Sequence, residues 1–380
     1  MIRYAGIAVA LFALLPLPAA PASSCDPDGL QASGSIYRIC MPPAAEYNGK
    51  LVIWAHGFQD AGTPVSIPED QLCIAGTCLP DVLNGMGFGF ATNSYSKTGL
   101  AITQGVNDIL DLVEIYAARN GRPQKVYLVG ASEGGIITAL AVERRPDVFS
   151  GGLSACGPIG SFPMQINYFG DARVTFDHFF PGLIPGTPFD PHPLLVAQWR
   201  DYYELVVKPA ILAPSNRAKL DQWAAVAQLP SDPADYLATV EQSARDALRY
   251  SVVNLRDAAA TLGGFPFDNR DRVYSGSADD ALLNQQVLRV AGDPTAFGAM
   301  AAYYETSGNL QRPLITMHTT RDQQVPFAHQ HIYTWKTLVA GTWWKHHFNV
   351  PLERYGHCNF TPDEVLWGFA LLLLWDGSLL

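Results

Sequence analysis

Short apolar runs alternate with stretches of helical periodicity along the first part of the chain, and this alternation restricts the fold more than any other feature. Residues 50–55 (KLVIWA) contain no breaker, and residues 103–120 place apolar side chains at helical spacing before Gly121. The pattern predicts strands at 50–55, 88–94, 125–129 and 149–156, and helices at 103–120 and 134–145. Strands that alternate with helices form parallel βαβ units, so the sequence predicts an α/β fold with a mostly parallel central sheet.

The alternation stops after residue 156, where the sequence becomes rich in aromatic residues and proline. We predict helices there, near 194–209, 216–227, 233–249 and 278–290. The sheet pattern resumes with strands at 313–318 and 344–352 and a last helix at 362–375. We therefore predict a core in two parts, 23–157 and 313–380, with a large, mainly helical cap at 158–312 inserted between two core strands.

The composition excludes one class of partner. Hydrophobic residues make up 48% of the chain and charged residues only 16%, against about 25% charged in an average domain. A large core can therefore be buried. The formal net charge is −10, and the sequence contains no run of basic residues. Because nothing in it would neutralise a phosphate backbone, we expect no nucleic-acid partner.

The N-terminus has the order of a secretory signal peptide. Residues 1–22 carry a single charge, Arg3, followed by an apolar run at 5–17 and small residues up to Ala22. We predict cleavage after Ala22; the alternatives are a buried first helix or a lipidated N-terminus at Cys25. The apolar run is shorter than the ~20 residues that a membrane-spanning helix needs. The sequence thus predicts a secreted or periplasmic protein without a membrane span.

All six cysteines follow this segment, at positions 25, 40, 73, 78, 156 and 358. An even number of cysteines in an exported chain is typical of disulfides. Short loops favour two pairs, Cys25 with Cys40 and Cys73 with Cys78. Cys156 and Cys358 then remain, either bonded to each other or as two buried thiols. The chain has neither the paired cysteines nor the clustered histidines of zinc sites, so we expect no metal and no cofactor.

One motif suggests a nucleophile. Residues 130–134 (GASEG) form the only G-x-S-x-G in the chain, between a predicted strand and a predicted helix. A nucleophile elbow lies at such a junction, in a strained turn whose flanking glycines avoid collision with the serine. Gly135 lets the helix pack close to the sheet. An ordinary glycine-rich turn is the alternative, but the context predicts Ser132 as a nucleophile.

A serine hydroxyl needs an imidazole to accept its proton and a carboxylate to orient that imidazole. After an elbow the required order is serine, acid, histidine. Asp322 follows one predicted strand and His357 follows the next, at the sheet edge where open α/β sheets hold their active sites. Three other acids lie within the predicted cap or inside a strand: Asp279, Asp280 and Glu353. Three other histidines lie before Asp322 or too close after it: His318, His329 and His331.

With these residues in this order, the chain resembles a secreted member of the α/β-hydrolase superfamily over most of residues 50–157 and 313–380. The resemblance implies that Ser132 is the nucleophile, His357 the general base and acid, and Asp322 the orienting carboxylate.

The same resemblance implies an oxyanion hole. The pair His56-Gly57 after the first core strand matches the family's oxyanion loop. The backbone N–H groups of Phe58 and Glu133 would then stabilise the oxyanion. His56, Gly57 and Tyr95 are possible pocket residues, although Tyr95 is as readily an edge aromatic. The Glu133 side chain either binds a substrate amine or, as we expect, faces solvent.

The sequence as a whole favours a secreted serine hydrolase that cleaves carboxylic esters, small or polymeric, through an acyl-enzyme. An aminopeptidase or oligopeptidase of the same fold is the alternative, and it would need acids in the cap, such as Asp279 and Asp280, to bind a free amine. A non-catalytic binding protein on this scaffold is a third possibility. The cap is instead rich in aromatic side chains, which suit a neutral group: Phe162, Tyr168, Phe169, Phe176, Phe179, Phe180, Phe189, Trp199, Tyr202 and Tyr203.

Overall fold

The computed structural model describes residues 24–378. The predicted signal peptide at 1–22 lies outside these residues. The strands in chain order are β1 (Ser24–Cys25), β2 (Gly29–Leu30), β3 (Ile36–Met41), β4 (Lys50–Ala55), β5 (Cys73–Ile74), β6 (Thr77–Cys78), β7 (Gly89–Asn93), β8 (Lys125–Ala131), β9 (Gly151–Ala155), β10 (Leu314–Arg321) and β11 (His347–Tyr355). β5 and β6 form a small hairpin, and the other nine strands form one sheet.

The sheet has the order β1-β3-β7-β4-β8-β9-β10-β11, with β2 paired to β3. All pairings from β7 to β11 are parallel, and those of β1, β2 and β7 with β3 are antiparallel. The mostly parallel sheet predicted from the alternation is confirmed. The antiparallel edge formed by β3 was missed, although its sequence (IYRICM) is mostly apolar.

Fifteen α-helices lie within the described residues. They are α1 (Leu79–Gly85), α2 (Ile102–Asn120), α3 (Glu133–Arg144), α4 (Phe162–Phe179), α5 (Pro193–Ala197), α6 (Trp199–Tyr202), α7 (Lys208–Leu212), α8 (Arg217–Val226), α9 (Tyr236–Arg249), α10 (Leu255–Leu262), α11 (Asp280–Gln286), α12 (Pro294–Ala299), α13 (Ala328–Val339), α14 (Trp343–His346) and α15 (Pro362–Trp375). Helices α4 to α12 lie between β9 and β10, and we call this segment the cap. None of the described helices is long and apolar enough to cross a membrane.

The core lies on both faces of the sheet, because parallel strands alternate their side chains between two covered faces. In β4, Leu51 and Ile53 join the apolar cluster that includes α2, α3 and the cap. Val52 and Trp54 join the cluster on the opposite face, which includes Phe369 of α15. The central strands of the sheet are thus covered by apolar side chains on both faces.

Two predicted elements need correction, and one long helix was missed. The predicted helix at 194–209 is divided into α5, α6 and a wider turn at Tyr203–Val207, because Gln198 leaves helical geometry with φ −118° and ψ 20°. β11 begins at His347 rather than at residue 344, since α14 precedes it. The longest cap helix, α4, was missed although Ser161 caps it and proline occupies its first turn.

Candidate active site

Ser132 lies between β8 and α3 with φ 58° and ψ −120°, a strained conformation for a residue with a side chain. The flanking glycines are required by close backbone approach: a Cβ at Gly130 would overlap the carbonyl of Gly134, and one at Gly134 would overlap the carbonyl of Ala55. A Cβ at Gly135 would lie 2.7 Å from the Ala155 carbonyl oxygen. This turn therefore has the geometry of a nucleophile elbow.

The structure brings Ser132, His357 and Asp322 together from three strand ends. His357 Nε2 lies 2.9 Å from Ser132 Oγ, and His357 Nδ1 lies 2.8 Å from Asp322 Oδ2. Because a carboxylate only accepts hydrogen bonds, Nδ1 carries the proton and Nε2 is free to accept that of the serine hydroxyl. The three side chains therefore have the chain order and the hydrogen bonds of a Ser-His-Asp triad.

Asp322 is buried directly after β10, where it receives several donors. Its Oδ1 accepts hydrogen bonds from the backbone N–H groups of Gln324 and Val325, each at 2.9 Å. His318 Nε2 lies 3.3 Å from Asp322 Oδ2. Burial by itself raises the pKa of the Asp322 carboxyl, but the contacts with His357 and His318 outweigh it and hold that pKa well below its usual range. Asp322 is therefore ionised.

The rival residues lie in other places. Asp279 caps α11 by accepting a hydrogen bond from the Leu282 N–H, and Asp280 accepts one from Ser277. Glu353 and His331 are exposed. His329 is buried and accepts hydrogen bonds from the N–H groups of Gly160 and Ser161, so it fixes the loop after β9.

The loop after β4 lies against the serine. A Cβ at Gly57 would lie 3.3 Å from Ser132 Cβ, and the Gly57 N–H donates a 2.6 Å hydrogen bond to Gln71 Oε1. Glu133 is the first residue of α3, so its N–H has no acceptor within the helix. Phe58 and Glu133, the residues predicted to supply the oxyanion hole, both line a cavity beside Ser132.

His56, Gly57 and Tyr95 are the possible pocket residues given by the sequence. None of the three lines the cavity. Tyr95 is fully buried, its ring stacks on that of His56 with centroids 3.9 Å apart, and its hydroxyl donates to the His56 carbonyl at 2.9 Å. Burial also lowers the pKa of His56 to about 4, so this ring is neutral. The stacking and the hydrogen bond thus join Tyr95 to the start of the loop after β4.

The cavity lies between the core and the cap and is partly open to solvent. Of the cap aromatics named above, Phe162 and Phe169 line it. Most of the others, such as Phe176 and Tyr203, are buried within the cap itself. The cavity is therefore apolar along most of its wall, and Ser132 is one of the residues that line it.

The Glu133 side chain is buried and lines the cavity, which corrects the expectation that it faces solvent. Its Oε1 accepts a 2.8 Å hydrogen bond from the Ala101 N–H. Burial raises the pKa of Glu133 to about 8, although the Ala101 N–H and Lys97 act in the opposite direction. The adjacent N–H of Leu100 donates to Asp257 of α10, so this loop is held by one acid from the core and one from the cap.

Three disulfides join the cysteines: Cys25–Cys40, Cys73–Cys78 and Cys156–Cys358. These are the pairs favoured by loop length, with the remaining two cysteines bonded to each other. Cys156, His357 and Cys358 bring possible metal-ligand atoms within 4.8 Å of one another. Their sulfur atoms are bonded to each other, however, and a disulfide does not supply the thiolates that zinc binds.

The strand order, the elbow after β8 and the helical cap after β9 together decide the fold. The protein has the α/β-hydrolase fold. The profile of the prolyl oligopeptidase family matches residues 82–162, which include Ser132 but neither Asp322 nor His357. No curated protein sequence matches the chain.

Solved structures of α/β-hydrolases are similar to the chain only distantly. The Pyrococcus horikoshii acylaminoacyl peptidase is 10% identical with a TM-score of 0.44, and the match covers 88% of this chain and 37% of that one. The Pyrococcus furiosus esterase Pf2001 is 9% identical with a TM-score of 0.46, covering 93% and 89%. Est1E from Butyrivibrio proteoclasticus is 13% identical with a TM-score of 0.41, covering 94% and 98%. The chain thus spans little more than a third of the peptidase.

The sequence did not indicate several residues that contact the site from distant parts of the chain. Gln71 contacts the loop at Gly57, and Asp257 and Asn254 approach from the cap. No motif marks them, because glutamine and asparagine occur throughout polar loops. The helical periodicity of α10 was the one available signal, and it indicates a buried face without indicating what that face contacts.

Proposed function

We propose that the protein is a serine hydrolase that cleaves carboxylic esters, with Ser132 as nucleophile, His357 as general base and acid, and Asp322 as orienting carboxylate. The contact of 2.9 Å between His357 Nε2 and Ser132 Oγ carries this proposal. The buried, ionised Asp322 supports it, since that carboxylate stabilises the imidazolium formed in the reaction.

The reaction follows from these positions. Ser132 Oγ forms a bond to the ester carbonyl carbon while its proton passes to His357 Nε2. The carbonyl oxygen becomes an oxyanion, which the N–H groups of Phe58 and Glu133 stabilise. The bond to the leaving oxygen then breaks, and His357 gives the proton to the departing alcohol. Water repeats the sequence on the acyl-enzyme and releases the carboxylic acid.

Amide hydrolysis is the second candidate, because one acid, Glu133, lines the cavity beside the nucleophile. A pKa of about 8 leaves the Glu133 carboxyl mainly protonated at neutral pH. A neutral acid is a weak partner for a substrate ammonium group, whose desolvation needs a full opposite charge. The acids of α11 lie away from the cavity. The mainly apolar wall therefore favours a neutral ester over a free-amine peptide.

The three disulfides are consistent with an oxidising compartment, and we propose that the protein is secreted or periplasmic. N-terminal sequencing of the exported protein is the test. A mature chain that begins at residue 23 is expected, whereas retention of residues 1–22 would contradict cleavage after Ala22.

The catalytic proposal is tested with a fluorophosphonate label and two substrate series, p-nitrophenyl acyl esters and aminoacyl p-nitroanilides. We expect labelling at Ser132 and a kcat/KM for esters at least about a hundredfold above that for anilides. Ser132→Ala and His357→Ala should each lower kcat by more than about 10³-fold with the Tm preserved. Ser215→Ala, an exposed cap variant, is the control and should retain labelling and turnover.

Three outcomes would contradict the proposal. Turnover by Ser132→Ala above a tenth of the parent rate would reject the nucleophile. Faster cleavage of anilides than of esters would favour the peptidase. Absence of labelling and of turnover would favour the non-catalytic binding protein.

A further inference from the structure

The cavity beside Ser132 is placed to receive the acyl side of a substrate. It is lined by Ser132 and by Phe58 and Glu133, the two residues whose N–H groups would stabilise the oxyanion, but not by His357. A leaving group must reach His357 Nε2 to receive its proton. A leaving group would therefore lie on the His357 side of Ser132, and the acyl group would extend into the cavity.

Several polar side chains line this cavity, and the protein already engages most of them. Gln165 donates to the Gln324 carbonyl and contacts His329 Nε2 through its Oε1. The side chain of Gln324 donates to Asp246 and accepts a hydrogen bond from the Tyr250 hydroxyl at 3.0 Å. These groups have little capacity left for a ligand.

Asn254 differs from all of them. It lines the cavity and is only 8% exposed, yet neither its Oδ1 nor its Nδ2 has a hydrogen-bond partner among the described residues. A buried carboxamide without partners is unfavourable and calls for an explanation in terms of a ligand or function.

The local backbone directs this side chain to the cavity. Residues Tyr250–Asn254 form a single wide turn, in which the Leu255 N–H donates to the Tyr250 carbonyl. Such turns interrupt α-helices and are frequent at functional sites. Both ends of the turn, Tyr250 and Asn254, line the cavity, followed by the apolar Leu255 and Ala258. Asn254 is thus a polar group in an apolar part of the wall.

We propose that Asn254 is a specificity-determining residue that hydrogen-bonds a hydroxyl group on the acyl chain, so that the preferred substrates are esters of hydroxy carboxylic acids. A hydroxyl both donates and accepts, as does the carboxamide, so one group can engage Oδ1 and Nδ2 together. A charged acyl group fits poorly, because the wall is mainly apolar and contains no basic side chain. This inference rests on the proposed ester hydrolysis.

The test compares pairs of p-nitrophenyl esters in which a terminal hydroxyl replaces a methyl group: 6-hydroxyhexanoate with heptanoate, and 8-hydroxyoctanoate with nonanoate. For at least one pair the wild-type kcat/KM should favour the hydroxyl ester by about tenfold or more. In Asn254→Leu and in the smaller Asn254→Ala this preference should fall by at least about tenfold. Asn216→Leu is the matched control; Asn216 lies in the cap outside the cavity and should leave the preference unchanged.

Thermal unfolding gives a second readout. Asn254→Leu removes unpartnered polar atoms and should raise the Tm, whereas Asn216→Leu removes a hydrogen bond to the Ala210 carbonyl and should lower it. A preference that stays within twofold of wild type in both Asn254 variants, or a wild type that favours the methyl ester in both pairs, overturns this inference alone. No cleavage of any ester and no labelling of Ser132 rejects the ester hydrolase and this inference with it.

Discussion

Cys358, the residue after His357, forms a disulfide with Cys156, the residue after β9. The carbonyl of Ala155, one residue before Cys156, accepts a 2.9 Å hydrogen bond from the N–H of Ser132. The loop that carries the histidine and the turn that carries the serine are therefore anchored at the same strand end. This arrangement fixes the distance between the two side chains through covalent and hydrogen bonds rather than through loop packing alone.

We predict that the double variant Cys156→Ser/Cys358→Ser loses more kcat than substrate affinity. The bond joins residues 202 positions apart, and chain entropy alone makes such a closure worth about 5 kcal/mol of stability. Loss of the anchor lets His357 move relative to Ser132, and a displacement of about 1 Å can cost roughly 10²-fold in rate. Denaturant unfolding and steady-state kinetics on p-nitrophenyl esters measure the two effects.

The matched control is Cys25→Ser/Cys40→Ser, which opens a bond with a separation of 15 residues at the far edge of the sheet. It should lower stability, but under conditions where the protein stays folded it should leave kcat within about threefold of wild type. Equal kcat values in all three proteins would show that the disulfide does not position the histidine.

We expect Gln71 to position the loop after β4, which carries Phe58 of the proposed oxyanion hole. Its Oε1 accepts the Gly57 N–H at 2.6 Å, and Gly57 packs against Ser132. Gln71→Leu removes the acceptor and should lower kcat by about 10- to 100-fold with KM changed by less than about threefold, because the Phe58 N–H acts mainly on the oxyanion. Gln71→Glu retains an acceptor oxygen and should recover most of the rate. A uniform rise in KM in both variants would instead assign Gln71 to substrate binding.

Gly134 and Gly298 offer a contrast between two glycines in helices. A Cβ at Gly134 would overlap the Ala55 carbonyl, whereas a Cβ at Gly298 of α12 would meet nothing within 4 Å. Gly134→Ala should therefore destabilise the protein by at least about 1–3 kcal/mol through overpacking. Gly298→Ala should stabilise it by roughly 0.5–1 kcal/mol because alanine loses less backbone entropy in a helix. Denaturant unfolding of both variants measures the difference, and equal effects would contradict the close approach at Gly134.

The sequence predicted the central sheet well because its signals are local. Strands such as β4 and β8 are uninterrupted apolar runs, and the helix after Ser132 begins at a glycine-rich turn. β3 (IYRICM) is mostly apolar but short, and it joins the sheet through antiparallel pairing with β7, at least fifty positions away in the chain, as in the pair Cys40 and Phe90. Strand pairing over such a distance leaves no periodic mark, which is why this edge was missed.

Within the site, the chain order serine, acid, histidine was enough to select Ser132, Asp322 and His357. The structure brings these three side chains into contact. The surroundings were harder to predict because they depend on tertiary contacts. The Glu133 side chain was expected in solvent, but the loop at Ala101 and the cap enclose it. Tyr95 was a possible pocket residue, but it packs behind His56. Burial of a side chain at a turn depends on which distant segment covers it, and the cap pattern did not specify that.

The buried Glu133 carboxyl should make stability depend on pH in a defined direction. Its pKa is raised from 4.5 to about 8 by burial, so between these values the folded protein retains a proton that the unfolded chain releases. The stabilisation present below pH 4.5 is therefore lost as the pH rises towards 8, at up to about 1.4 kcal/mol per pH unit. Above pH 8 both states are ionised, and this contribution becomes constant.

Glu133→Gln keeps an oxygen that accepts the Ala101 N–H but does not ionise. The free energy of unfolding of this variant, relative to wild type, should therefore rise steadily between pH 5 and about pH 8 and then level off. Glu353→Gln, at an exposed position of β11, is the control and should give a nearly constant difference. Urea unfolding of the three proteins at pH 5, 6, 7, 8 and 9 measures these curves. Parallel curves for Glu133→Gln and wild type would mean that the carboxyl is ionised in the folded protein throughout this range, and a charged carboxylate beside Ser132 would then favour amine-bearing substrates over neutral esters.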